Sequence, residues 1–139
     1  MKMERKVLVV DDCRESRMLM AVMLDQFSCI DLGEDGEQAV KMVEKALSED
    51  AHYDLICLDL TMPGMGGHEA LHRIRSLEGQ HNGGRKSVVF VVTASSSPDD
   101  MMKALVPGSC DDFLTKPVLW RTLQDLLERH GLVDKPVEL

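Results

Sequence analysis

No apolar stretch in this sequence approaches the roughly 20 residues that a membrane-spanning helix requires. Positive charge is also in short supply: 16 Lys and Arg stand against 24 Asp and Glu, for a formal net charge of -8. That balance argues against nonspecific binding to DNA or RNA, which needs basic side chains to displace counterions. The four cysteines, Cys13, Cys29, Cys57 and Cys110, show no CxxC spacing and no matching histidine pattern, which leaves no zinc or redox motif to read. They are expected to be reduced and mostly buried, as free cysteines commonly are. Cys13 follows an acidic pair and is the one placed to reach a site there. Residues 1–6 run straight into a strand without an apolar signal segment, so the expected compartment is the cytoplasm. Internal repeats and low-complexity tracts are absent as well.

What is present is an alternation. The 139 residues fit one domain and can bury a core without disulfides. Residues 5–11 read as a strand, 13–27 as a helix with Leu19, Met20, Met23, Leu24 and Phe27 at three-to-four spacing. A weak strand covers 28–32, a helix 35–47, and a continuous apolar strand 54–59. A Pro-Gly loop leads to about three turns of helix from His68. After a polar loop at 80–86, the most strand-like segment spans 87–93. Ser97, Pro98, Asp99 and Asp100 make a helix start with an N-cap, a first-turn proline and first-turn acids, and Pro107-Gly108 ends that helix early. A fifth strand, 110–114, and a helix, 118–130, stopped by Gly131, complete a domain of residues 1–131. Residues 132–139 are expected to form a tail.

Strict strand–helix alternation forces parallel pairing with right-handed crossovers and helices on both faces. Apolar strands without alternation agree, because a doubly covered sheet buries both of its faces. The expected class is therefore α/β, a doubly wound five-stranded parallel sheet.

Four of the strands end on polar groups. Asp11 and Asp12 follow Val7-Leu8-Val9-Val10, Asp59 follows Leu55-Ile56-Cys57-Leu58, Thr93 closes the fourth strand and Lys116 the fifth. In open α/β sheets the carboxyl ends of the strands are where ligands bind. If strands 1 and 3 are neighbours, the three carboxylates converge, and like charges that close raise one another's pKa unless a cation neutralises them. An all-oxygen donor set suits Mg²⁺, with Mn²⁺ able to replace it. Asp59, alone on the central strand, is the candidate nucleophile for a covalent phosphoryl group. Lys116 and the Thr93 hydroxyl are placed to stabilise the phosphoryl oxygens.

These segments resemble the response-regulator receiver domains of two-component signalling. The matching runs are Val9-Val10-Asp11-Asp12, Asp59-Leu60-Thr61-Met62-Pro63-Gly64-Met65-Gly66-Gly67, Val92-Thr93-Ala94 and Asp112-Phe113-Leu114-Thr115-Lys116-Pro117. Each run alone is weak; all four in this order on an alternating pattern are specific. The resemblance covers about residues 5–130 and implies a flavodoxin-like strand order 2-1-3-4-5. It implies that Asp59 accepts a phosphoryl group from a phosphohistidine on a sensor histidine kinase or a histidine phosphotransfer protein. It further implies Mg²⁺ bound by Asp12, Asp59 and the backbone carbonyl of Thr61, with Asp11 assisting through water. Lys116-Pro117 would be a cis peptide. Thr93 and Phe113 would form a switch that alters a partner-binding surface around the helix after Thr93, the fifth strand and the last helix.

On this basis the chain is expected to be a phosphoacceptor signalling module rather than an enzyme, acting alone or as part of a larger regulator or hybrid kinase. The alternative is a phosphatase with an aspartate nucleophile on a Rossmann-like sheet. It is weakened because Asp59-Leu60-Thr61 lacks a second acid. A degenerate receiver used only as a scaffold is the third possibility, opposed by the completeness of the motif. His68 and His72, four apart, lack a third ligand and read as solvated helix residues. Met18 and Val22 fall on the outer side of the first helix, beside the site, and suggest a partner-docking surface.

Overall fold

The computed structural model describes residues 3–81, 86–94 and 110–134. Five strands form one sheet: β1 (Met3–Val10), β2 (Phe27–Gly33), β3 (Leu55–Asp59), β4 (Val88–Thr93) and β5 (Asp112–Thr115). All pairings are parallel and the order is β2-β1-β3-β4-β5. Four helices are described: α1 (Arg14–Met23), α2 (Gly36–Ser48), α3 (Gly67–Gln80) and α4 (Trp120–Arg129). The helix expected from Ser97 to Pro107 lies outside the described residues, as do Gly83-Gly84, Ser95-Ser96-Ser97 and the last five positions.

The apolar strands sort their side chains onto two cores. Leu8, Val10, Ile56, Leu58, Val89 and Val91 pack under α2 and α3 with Ala39, Val43, Leu71 and Ile74. Val7, Val9, Leu55, Cys57, Phe90 and Val92 pack on the other face with Met20, Leu24, Leu123 and Leu127 from the α1 and α4 side. Every residue of β3 is buried, as a central parallel strand covered on both faces requires.

The first helix is shorter than its periodicity predicts. Leu24 and Phe27 continue the three-to-four spacing and are both buried, but the chain turns at Leu24, and Phe27 opens β2. At Leu24 and Phe27 the spacing tracked burial rather than helix length. Leu19, placed on the inner side by the same spacing, is exposed, as Met18 and Val22 are. At the other end, Leu132 is buried and Val133 packs against the same core; Leu132 N–H donates to Leu127 O just past Gly131, whose φ of +70° makes the turn. Of the cysteines only Cys57 is buried; Cys13 is exposed and Cys29 and Cys110 are half-buried, because they fall on the sheet's edge strand or outside the strands.

A charged network fastens the amino ends of β4 and β5 to α3. Glu78 is only 1 % exposed. Its carboxylate accepts from Arg75 Nη1 at 2.7 Å and from the Ser87 N–H at 2.7 Å. Arg75 also donates to Ser87 O and to Asp111 Oδ2, and Asp111 Oδ2 accepts from the Val89 N–H.

Candidate functional site

Parallel pairing brings the carboxyl ends of the strands to one rim. Val10 pairs with Leu58 in β3, and Asp59 pairs with Val92 in β4, so Asp11 and Asp59 follow from the same edge of adjacent strands. Thr93 pairs with Thr115, which sets Lys116 one residue beyond. Asp11, Asp12 and Asp59 each offer a carboxylate oxygen, and these atoms all lie within 4.8 Å of one another. Asp12 is exposed, whereas Asp11 and Asp59 are buried.

Lys116 bridges two of the acids. Its Nζ stands 3.0 Å from Asp11 Oδ2 and 3.6 Å from Asp59 Oδ2. The Lys116-Pro117 peptide is cis. Asp59 Oδ1 accepts the Thr61 N–H at 3.3 Å, and Thr61 itself is exposed. Thr93 is 1 % exposed at the end of β4. Phe113 is half-buried against the core beneath α2 and α3.

Burial is the main cause that pushes the Asp59 carboxyl up to about 6. The Lys116 charge and the Thr61 N–H oppose it, while Asp11 and Asp12 reinforce it. Burial works against the Lys116 ammonium, but its hydrogen bond to Asp11 and the charges of Asp59 and Asp11 outweigh it, and the net direction is upward. Three carboxylates against one ammonium leave the cluster short of positive charge. An all-oxygen donor set of this kind suits a hard divalent cation of the Mg²⁺ type, which would lower the cost of keeping Asp59 ionised.

Close backbone packing fixes where Asp59 sits. A Cβ on Gly67 would lie 2.5 Å from Asp59 O and 2.6 Å from Leu60 Cα. Glycine at the first turn of α3 therefore lets that helix press directly onto the end of β3. Gly67 N–H also donates to Leu60 O.

Beside the cluster, a groove of about 400 Å³ runs between α1 and the β5–α4 turn. Leu19, Met20, Met23, Val92, Pro117 and Val118 supply its apolar walls, and Asp11 and Lys116 reach its rim. Leu119, just before α4, and Trp120 at its start are exposed, as are Met18, Leu19 and Val22 on α1.

Three site features were missed in the sequence. Arg17 reaches back to donate to Asp11 O at 2.7 Å; a charged residue on an amphipathic helix gives no sign of this. Gly67 stood in the motif, but its steric necessity shows only in three dimensions. His68, expected to be solvated, is half-buried with its Nε2 buried and unpartnered among the described residues, because it sits beside the buried face of α3. His72 is exposed as expected.

The chain belongs to the response regulator receiver domain family, whose model matches residues 7–128. It is 34% identical over 128 residues to hybrid signal transduction histidine kinase G of Dictyostelium discoideum, covering 92% of this chain and 4% of that protein. It is 35% identical over 136 residues to probable histidine kinase 2 of Oryza sativa subsp. indica, covering 91% of this chain and 12% of that one. The chain thus spans a small fraction of the curated relatives it matches. Among solved structures, the receiver domain of the Arabidopsis thaliana histidine kinase CKI1 complexed with Mg²⁺ and BeF₃⁻ superposes with a TM-score of 0.81 at 24% identity, covering 93% of this chain and 91% of that one. The Saccharomyces cerevisiae co-crystal of the histidine phosphotransfer protein Ypd1 with the Ssk1 receiver domain gives 0.75 at 29% identity, covering 99% and 97%. None of the described helices is long and apolar enough to cross a membrane.

Proposed function

We propose that this receiver domain accepts a phosphoryl group on Asp59 from a phosphohistidine carried by a sensor histidine kinase or a histidine phosphotransfer protein. The observation that carries the reading is the convergence of Asp11, Asp12 and Asp59 within 4.8 Å with the Lys116 ammonium between two of them.

In the transfer, one Asp59 oxygen forms a bond to phosphorus while the phosphorus–nitrogen bond to the donor imidazole breaks. Lys116 faces the negative oxygens of the transferred group, and the Thr93 hydroxyl donates to another of them. Asp12, Asp59 and the Thr61 carbonyl would hold Mg²⁺, or Mn²⁺ in its place, with Asp11 assisting through water. When bound, the ion supplies positive charge to phosphoryl oxygens and to the acidic cluster. Asp11 Oδ2 already faces Lys116 and its Oδ1 accepts the Cys13 N–H at 2.8 Å, which supports an indirect part for it.

A phosphoryl group adds roughly -1.5 to -2 charge beside Thr93. Phe113, on the strand next to it, packs only partly into the core. These two residues are the proposed switch, altering a surface that includes β5 and α4. The donor must reach Asp59 from the rim, and the apolar groove flanked by α1 and the β5–α4 turn is where we place it. The phosphatase alternative is not favoured.

The test is incubation with acetyl phosphate and Mg²⁺, read by intact mass. A gain of one phosphoryl unit in the wild type, absent in Asp59→Ala, is expected. A gain that survives the substitution would remove the assignment.

A further inference from the structure

All four polar atoms of Asp11 are engaged. Its N–H donates to Gly33 O at 3.1 Å, Oδ1 accepts from the Cys13 N–H at 2.8 Å, and Oδ2 faces the Lys116 ammonium at 3.0 Å. The main-chain oxygen accepts from Arg17 Nη1 at 2.7 Å. The first contact extends the β1–β2 pairing and the second is a local turn into α1. The Arg17 contact is different, because it crosses from within the helix to the peptide that joins Asp11 to Asp12.

That peptide is planar and rigid. Fixing its oxygen fixes the plane, and the plane sets the direction in which Asp12 leaves the strand. Asp12 is the exposed carboxylate of the cluster, with no strand around it to orient it. We propose that Arg17 is the positioning residue for Asp12, holding that carboxylate where it can share a divalent ion with Asp59. The inference rests on the metal-site reading above.

The environment of Arg17 supports this. Its side chain is only 12% exposed, yet its nearest counter-charge is Glu34, 3.8 Å away and itself 64% exposed. An exposed, loose ion pair contributes little, whereas a short hydrogen bond from a charged donor is among the stronger ones. The guanidinium is therefore held chiefly by the Asp11 carbonyl.

The sign of one measurement separates positioning from simple charge. Arg17 is a cation near a proposed cation site. If it acted only through charge, its removal would relieve repulsion and tighten Mg²⁺ binding. If it orients the Asp11–Asp12 peptide, its removal weakens binding, by about tenfold on the scale of residues that orient metal ligands.

The experiment is calorimetric titration of the full chain with Mg²⁺, comparing wild type, Arg17→Ala, Arg17→Gln, Arg17→Lys and Glu34→Gln, with thermal melts recorded without the ion. Both neutral variants should bind about tenfold more weakly, Arg17→Lys should recover most of the affinity, and Glu34→Gln should match the wild type. If Arg17→Ala does not fold, Arg17→Gln carries the comparison. Equal or tighter binding by the folded neutral variants overturns the proposal, as does an equal loss in Glu34→Gln. Lowered melting with unchanged ion affinity makes Arg17 merely structural and likewise overturns it. A wild type that takes up no Mg²⁺ at millimolar concentrations would instead overturn the metal-site reading itself.

Discussion

The Lys116 ammonium stands closer to Asp11 Oδ2, at 3.0 Å, than to the carboxylate of Asp59, at 3.6 Å. The lysine is held mainly by Asp11, the acid that the proposed chemistry uses least directly. Transfer to Asp59 would then draw it toward the new charge without moving its backbone.

Replacing Lys116 with methionine should therefore do two things. Phosphoryl uptake from acetyl phosphate should fall by about 10²-fold, the scale for losing one charge-stabilising group. The acid limb of the pH–rate profile should also move upward, since Lys116 is a cause that lowers the Asp59 carboxyl. Single-turnover labelling across pH 5 to 8 checks both; an unmoved acid limb would contradict the coupling.

Asp59 itself should carry a stability cost when no divalent ion is present. Its folded value, about 6, lies above the ordinary carboxyl value of 3.8, so the folded state holds the proton more tightly than the unfolded chain. Its contribution to stability is then present below about pH 4 and is lost as the pH rises through about 6. Asp59→Asn should accordingly stabilise the ion-free protein at pH 7.5, by about 2–3 kcal/mol for a shift of this size. The gain should shrink toward pH 4. Urea unfolding at several pH values tests it, and a gain independent of pH would point to another cause.

Gly67→Ala should damage both fold and site. The added methyl meets backbone atoms of Asp59 and Leu60 rather than flexible side chains, so α3 or the end of β3 must shift. A loss of about 1–3 kcal/mol is expected, as for other overpacked positions, together with slower labelling of Asp59. Labelling at the wild-type rate in a destabilised variant would show that the two are uncoupled.

The proposed docking surface can be separated from the proposed chemistry. Val22→Asp, at an exposed position of α1, should slow transfer from a protein phosphodonor at least tenfold, as loss of more than about 1.4 kcal/mol of binding would. Labelling by acetyl phosphate should stay unchanged. Wild-type rates with both donors would move the donor surface elsewhere.

Much of the site was legible because its residues follow uninterrupted apolar runs. Val7 to Val10 and Leu55 to Leu58 can only be buried strands, so the acids after them had to lie on one rim once β1 and β3 proved adjacent. The end of α1 was not legible, since Leu24 and Phe27 are both core residues and burial alone cannot say which backbone carries them. Nothing in the sequence marks Arg75 and Glu78, three residues apart on α3, as an interior pair. Their burial depends on Ser87 and Asp111, which approach only in the folded chain. Arg17 escaped notice for the same reason: its partner is a backbone oxygen, which no sequence pattern marks.

The Arg75–Glu78 cluster has a mechanical consequence. It bolts down the roots of β4 and β5, at the end of the sheet remote from Asp59. Both strands are thereby fixed to α3 where they begin, in addition to the ladder that pairs them along their length as far as Thr93 and Thr115.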